Sequence, residues 1–140
     1  MIGVLIATLV FAISFLTLLQ FFVSYSHSLI AESRGYELSE QTRELSGVTA
    51  KTVCGDQFTR LLQLVAMCPE PGGDSHQVRA VSAYFSMFGF VRALFSRAFP
   101  AVAPWIEAER GGCAYVAAVV LDRRIAYDRM LKAQQAGSQL

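Results

Sequence analysis

The first acidic or basic side chain in this sequence is Glu32; everything before it is uncharged at neutral pH. Within that opening, residues 2–23 read IGVLIATLVFAISFLTLLQFFV, an unbroken apolar run. At a rise of about 1.5 Å per residue, a helix of this length covers the roughly 30 Å hydrocarbon core of a bilayer. Peptide groups left unpaired in lipid are prohibitively costly, so a lone segment of this kind spans as a helix. Tyr25 and His27 follow at the depth where amphipathic rings settle. A cleaved signal peptide wants a basic leading region, a shorter apolar run and a small-x-small site. No Lys or Arg precedes this run, and SYSHSLIAES after it offers no good site. The expectation is a retained single-pass transmembrane anchor over residues 1–28.

Arg34 and Arg43 follow the run closely, and no basic side chain lies on its other flank. Basic residues stay on the cytoplasmic side, so the C-terminal part is expected to be cytoplasmic. Glu32, Glu37, Glu40 and Glu44 share that stretch and dilute the bias. Three cysteines, an odd number with no disulfide-framework spacing, agree with a reducing compartment.

Gly3, Ala7, Ser14, Thr17, Ser24 and Ser28 recur close to a heptad spacing, giving the anchor one stripe of small and weakly polar residues. Small residues let a second helix approach closely, and their hydroxyls can bond across the contact. The alternative is that these hydroxyls bond their own helix. Gln20, deep in the run, favours a partner: either another transmembrane protein or a second copy of the chain.

Beyond the anchor the pattern is helical throughout. Residues 29–47 read as a helical stalk, loosening at Gly35 or Gly47. Residues 48–135 read as a bundle of about three helices, and 136–140 as a tail. The first helix, 48–67, carries Val53, Phe58, Leu61, Leu62, Leu64 and Val65, and stops before Pro69 and Pro71. CPEPGGDS is a turn, after which Asp74 or Ser75 caps a helix over 75–98. Val78, Val81, Phe85, Phe88 and Phe95 form its apolar face, widened by Tyr84, Phe90 and Phe99. Pro100 and Pro104 break the chain. The last helix runs from Pro104 or Gly112 to about Gln135, with Gly111-Gly112 as a kink and Val116, Val120, Leu121, Ile125 and Met130 as its stripe. No stretch alternates as a half-buried strand does, so the fold class is all-α.

Candidate chemistry is thin. Cys54, Cys68, His76 and Cys113 are too far apart in sequence for a structural zinc set, whose ligands come as close pairs. Cys68, Asp74 and His76 supply the residue types of a nucleophile, base and orienter. Cys68, however, sits at an expected helix C-terminus, where the dipole disfavours a thiolate. Pro71-Gly72-Gly73-Asp74 precedes a helix start but lacks the lysine of a phosphate loop. His27 is a lone interfacial histidine with no second ligand signal. A net charge of +1 without a basic stripe argues against nucleic acid. Asp122, Arg123, Arg124, Asp128 and Arg129 read as a solvated face of mixed sign.

No catalytic residue, metal or cofactor is therefore assigned. The sequence reads as a non-enzymatic, membrane-anchored helical module, an accessory or scaffold subunit of a membrane protein complex. Two alternatives are a membrane-bound Cys/His enzyme and a helical domain that engages lipid peripherally. The twelve uncharged residues 80–91 are too short to span and serve as core or as an interfacial face. Tyr84, Phe90, Arg92, Arg97 and Phe99 are the residues expected to meet a partner or the membrane.

Overall fold

A computed structural model describes residues 1–47 and 55–139. Among them the chain is all-helical, with no strand, and has five α-helices: α1 (Ile2–Arg34), α2 (Glu40–Ser46), α3 (Gly55–Met67), α4 (Ser75–Phe95) and α5 (Ala103–Ser138). A single 3-10 turn, Pro100–Val102, leads into α5. The expected helix start at Val48, with Val53 and Cys54, lies outside the described residues.

The element count exceeds the expected one because the segment after the apolar run breaks. α1 stops at Arg34, and the amide of Gly35 bonds back to the carbonyl of Glu32. Five non-helical residues, Gly35 to Ser39, separate α1 from α2, which Gly47 closes in the left-handed conformation (φ 60°). Residues 29–47 do not stand free: Ile30, Ser33, Thr42 and Ser46 are buried, and α1 and α2 both touch α5.

α5 is the axis of the domain. From Gly112 to Asp122 every residue but Tyr115 is buried, because α1, α2, α3 and α4 surround it. The small residues Gly112, Ala114, Ala117 and Ala118 allow this crowding. A Cβ at Gly112 would lie 2.7 Å from Cγ2 of Ile30, so α1 crosses α5 there at close range. Gly111-Gly112 therefore makes no break; the helix runs through it, and the glycine at 112 is needed for the contact with Ile30.

Around α5 the core is filled by Phe58, Leu61 and Val65 of α3 and by Val81, Tyr84, Phe85 and Phe88 of α4. Phe58 stacks on Phe85 with centroids 4.0 Å apart, and Phe88 meets Tyr84 and Trp105 edge-on. Such ring pairs add about 0.5–1.5 kcal/mol each beyond the area they bury. Of the six rings expected on this face, Tyr84, Phe85 and Phe88 lie inside, while Phe90, Phe99 and the Phe95 expected in the stripe are exposed near the end of the helix. α4 is shorter than expected, ending at Phe95, and the Asp74 side chain makes no cap bond at its start.

Two contacts fix the direction of α1 relative to α5. His27 faces Glu109 and Ile30 faces Gly112, both 82 positions apart, so the two helices run parallel. α4 runs the opposite way, since Tyr84 meets Glu109 while Phe88 meets Trp105. The α4–α5 connection therefore lies at the same end of the domain as the first half of α1.

Candidate interaction surfaces

The first half of α1 projects clear of the domain. No residue before Leu19 is even partly covered, and Phe11 and Phe21 are 73% and 76% exposed. Only from Leu19 onward does one side turn inward, through Phe22, Val23, Ser26, Leu29, Ile30 and Ser33. At about 100° per residue these seven positions define one face. Gly3, Ala7, Ser14, Thr17, Ser24 and Ser28 fall on roughly the opposite side, and all six are exposed. The domain thus packs on one flank of α1 and leaves the small-residue flank bare. A Cβ on Gly3 would meet nothing within 4 Å. Thr17 donates to the carbonyl of Ile13 at 2.8 Å, the intrahelical bond that a lipid-facing hydroxyl also makes.

α1 and α4 are the two described helices long and apolar enough to cross a membrane. They differ in what they cover. α4 turns Val81, Tyr84, Phe85 and Phe88 into the core, whereas the apolar half of α1 covers nothing.

The second surface is the α4–α5 connection. Phe90, Leu94, Phe95, Phe99, Val102 and Trp105 are all exposed there, with Phe90 at 66%, Phe99 at 58% and Trp105 at 53%. Arg92 pairs with Glu107 across the hairpin, and Arg97 stands exposed in the turn. Phe90, Arg92, Arg97 and Phe99 are thus brought to one end of the domain. Tyr84 is not among them: it is buried, and its hydroxyl donates to Glu109 at 3.3 Å. Its place on the inward stripe with Val81 and Phe88 accounts for this.

Two carboxylates, Glu109 and Asp122, lie in the interior. Near the emergence of α1, Glu109 accepts from Tyr84 and lies 3.9 Å from Nε2 of His27, with Cys113 one turn on. Burial, and then the Glu109 carboxylate, push the Cys113 thiol up to about 12, which suppresses the thiolate that nucleophilic or metal chemistry needs. Further along α5, Asp122 takes hydroxyl donors from three residues. These are Ser39, Thr42 (2.5 Å) and Tyr36 (3.1 Å), so one carboxylate binds the α1–α2 connection and α2 to α5. Burial opposes its charge, but the Ser39, Thr42 and Tyr36 hydroxyls outweigh that and hold it below the ordinary carboxylate value.

The expected mixed-sign surface on α5 is corrected accordingly. Asp122 and Arg124 are buried; only Arg123 of that triplet faces out. Arg124 donates to the carbonyl of Val65 in the last turn of α3 at 2.8 Å and pairs with Glu70 at 3.7 Å. The signal was present in the sequence: Ile106, Glu109, Cys113, Val116, Val120 and Arg124 share one buried helical stripe.

The other candidates do not assemble. No group of three or more His, Cys, Asp or Glu among the described residues is placed to hold a metal ion, and Cys54 lies outside them. Cys68 closes α3, bonded through its amide to Val65, and His76 lies exposed on the first turn of α4. No hydrogen bond joins Cys68, Asp74 and His76; Oδ2 of Asp74 is buried without a partner. No family model matches the chain, and no curated protein or solved structure matches it.

Proposed function

We propose that this chain is a non-enzymatic, membrane-tethered helical module, an accessory or scaffold subunit of a membrane protein complex. In this reading α1 crosses the bilayer once through residues 2–23. Its small-residue flank (Gly3, Ala7, Ser14, Thr17, Ser24 and Ser28) receives a transmembrane helix of a partner or of a second copy. The helical domain stands on the cytoplasmic side, as Arg34 and Arg43 beyond the span favour.

The observation that carries the proposal is the bare apolar half of α1. Soluble monomers rarely expose contiguous apolar patches beyond a few hundred Å². Here every large apolar side chain from Ile2 to Leu18 is exposed, while the domain beside it has its own filled core. Lipid is the solvent that suits such a surface. The division of α1 into a domain-facing flank and an opposite small-residue flank supports a partner, since the domain does not occupy that flank.

Purification of the full chain from its native membrane in mild detergent tests the proposal. A stoichiometric partner or a homo-oligomer is expected, and Gly3→Leu with Ala7→Leu is expected to disperse it. A monomer free of any partner would contradict it.

A further inference from the structure

We infer that the α4–α5 apex is a second membrane contact, a hairpin tip seated in the leaflet through which α1 emerges. This rests on the reading of α1 as a membrane span, and it adds a surface that the span itself does not require.

The shared register of His27 with Glu109 and of Ile30 with Gly112 sets Trp105 level with Val23, where the apolar run ends. The same register sets Ala103 level with Phe21, and the turn from Ser96 to Val102 lies further still along the span. The apex thus passes the end of the hydrocarbon run by about one helical turn, ~5 Å. That matches the depth, about 5–10 Å, at which interfacial helices bury their apolar faces.

The chemistry changes with level as a bilayer does. At the tip, Phe95, Phe99 and Val102 are exposed, and no charged residue but Arg97 stands among them. Trp105, an amphipathic ring, sits at the boundary, where Trp settles. Glu107, paired with Arg92, falls level with Tyr25, in the headgroup zone. Arg97 has a stem long enough to carry its guanidinium back to the phosphates. An apolar tip below a charged collar is the pattern a lipid surface selects. A protein partner would place no such demand on level.

Two contacts constrain the domain more than one does. α1 alone leaves the domain free to tilt about its exit point; a seated apex fixes its orientation against the bilayer, and with it the flank α1 offers to a partner.

Trp105 is the single tryptophan of the chain, so its fluorescence reports the apex alone. The full chain, reconstituted in phosphatidylcholine vesicles, is floated and then probed with lipids brominated at shallow or deep acyl positions, and with aqueous acrylamide. Seating predicts blue-shifted emission, stronger quenching by shallow than by deep bromines, and acrylamide quenching cut several-fold relative to the denatured chain. Phe99→Glu with Val102→Glu, both at exposed positions, should reverse all three without preventing flotation. Flotation with Trp105 open to acrylamide and blind to bromine would overturn the apex contact and leave the span standing. Protection from acrylamide without bromine quenching would mean a protein cover and would also overturn it. A chain that does not float overturns both readings.

Discussion

Ile30 of α1 and Gly112 of α5 meet so closely that the missing Cβ is what allows the contact: built on Gly112, it would stand 2.7 Å from Cγ2 of Ile30. The neighbouring Gly111 faces open space, with nothing within 4 Å of the same position. Two adjacent glycines in one helix therefore do different things.

Alanine at the two sites should shift stability in opposite directions. Gly111→Ala gains helix propensity, about 0.5–1 kcal/mol, at no steric cost. Gly112→Ala gains the same but forces a buried, β-branched side chain aside, and overpacking costs about 1–3 kcal/mol. Urea unfolding of the detergent-solubilised chain should show the first variant more stable than the parent and the second less so.

Asp122 is the group through which acid loosens the domain. Its carboxyl is held below its ordinary value in the folded state, so its contribution is complete above the unfolded value of about 3.9. That contribution disappears as pH falls from there through the lower folded value. Asp122→Ala should cost about 2–3 kcal/mol at neutral pH, the scale of hydrogen bonds to a charged group. It should also leave α2 the first segment to exchange its amides. In Asp122→Asn the loss of stability at acid pH should be smaller than in the parent, which pH-dependent unfolding would show.

Cys113 should be silent to thiol reagents. It is fully buried and its thiol is raised to about 12, so alkylation at pH 8 should label it only when the domain unfolds. Mass mapping of labelled peptides with and without denaturant checks this; rapid labelling of Cys113 in the folded chain would show that the domain opens there.

The sequence made the helical class plain, because 3.6-residue periodicity and paired prolines are local signals. The CPEPGG turn and the end of α3 follow directly from Pro69 and Pro71. The arrangement around α5 is another matter. That Gly112 serves a helix crossing depends on Ile30, eighty-two residues away, and nothing near Gly112 announces it. The buried charges were half legible. Glu109 and Arg124 fall on the same stripe as Cys113 and Val120, a periodicity visible in the chain. Asp122 lies off that stripe, and its partners Ser39 and Thr42 sit in a segment that reads as a solvated stalk. Exposure at the apex was expected for Phe90, Arg92, Arg97 and Phe99. Trp105 was not singled out, because its position follows from the hairpin and not from any local pattern. Tyr84 was expected among those contact residues, but the stripe it shares with Val81 and Phe88 turns it into the core.

Membranes containing the native chain are extracted with alkaline carbonate, and the chain recovered is identified by intact mass. A chain anchored through residues 2–23 stays in the membrane pellet with those residues still attached. Release of the full chain into the supernatant, or recovery of a product lacking the apolar run, would contradict the anchor and every surface argued from it.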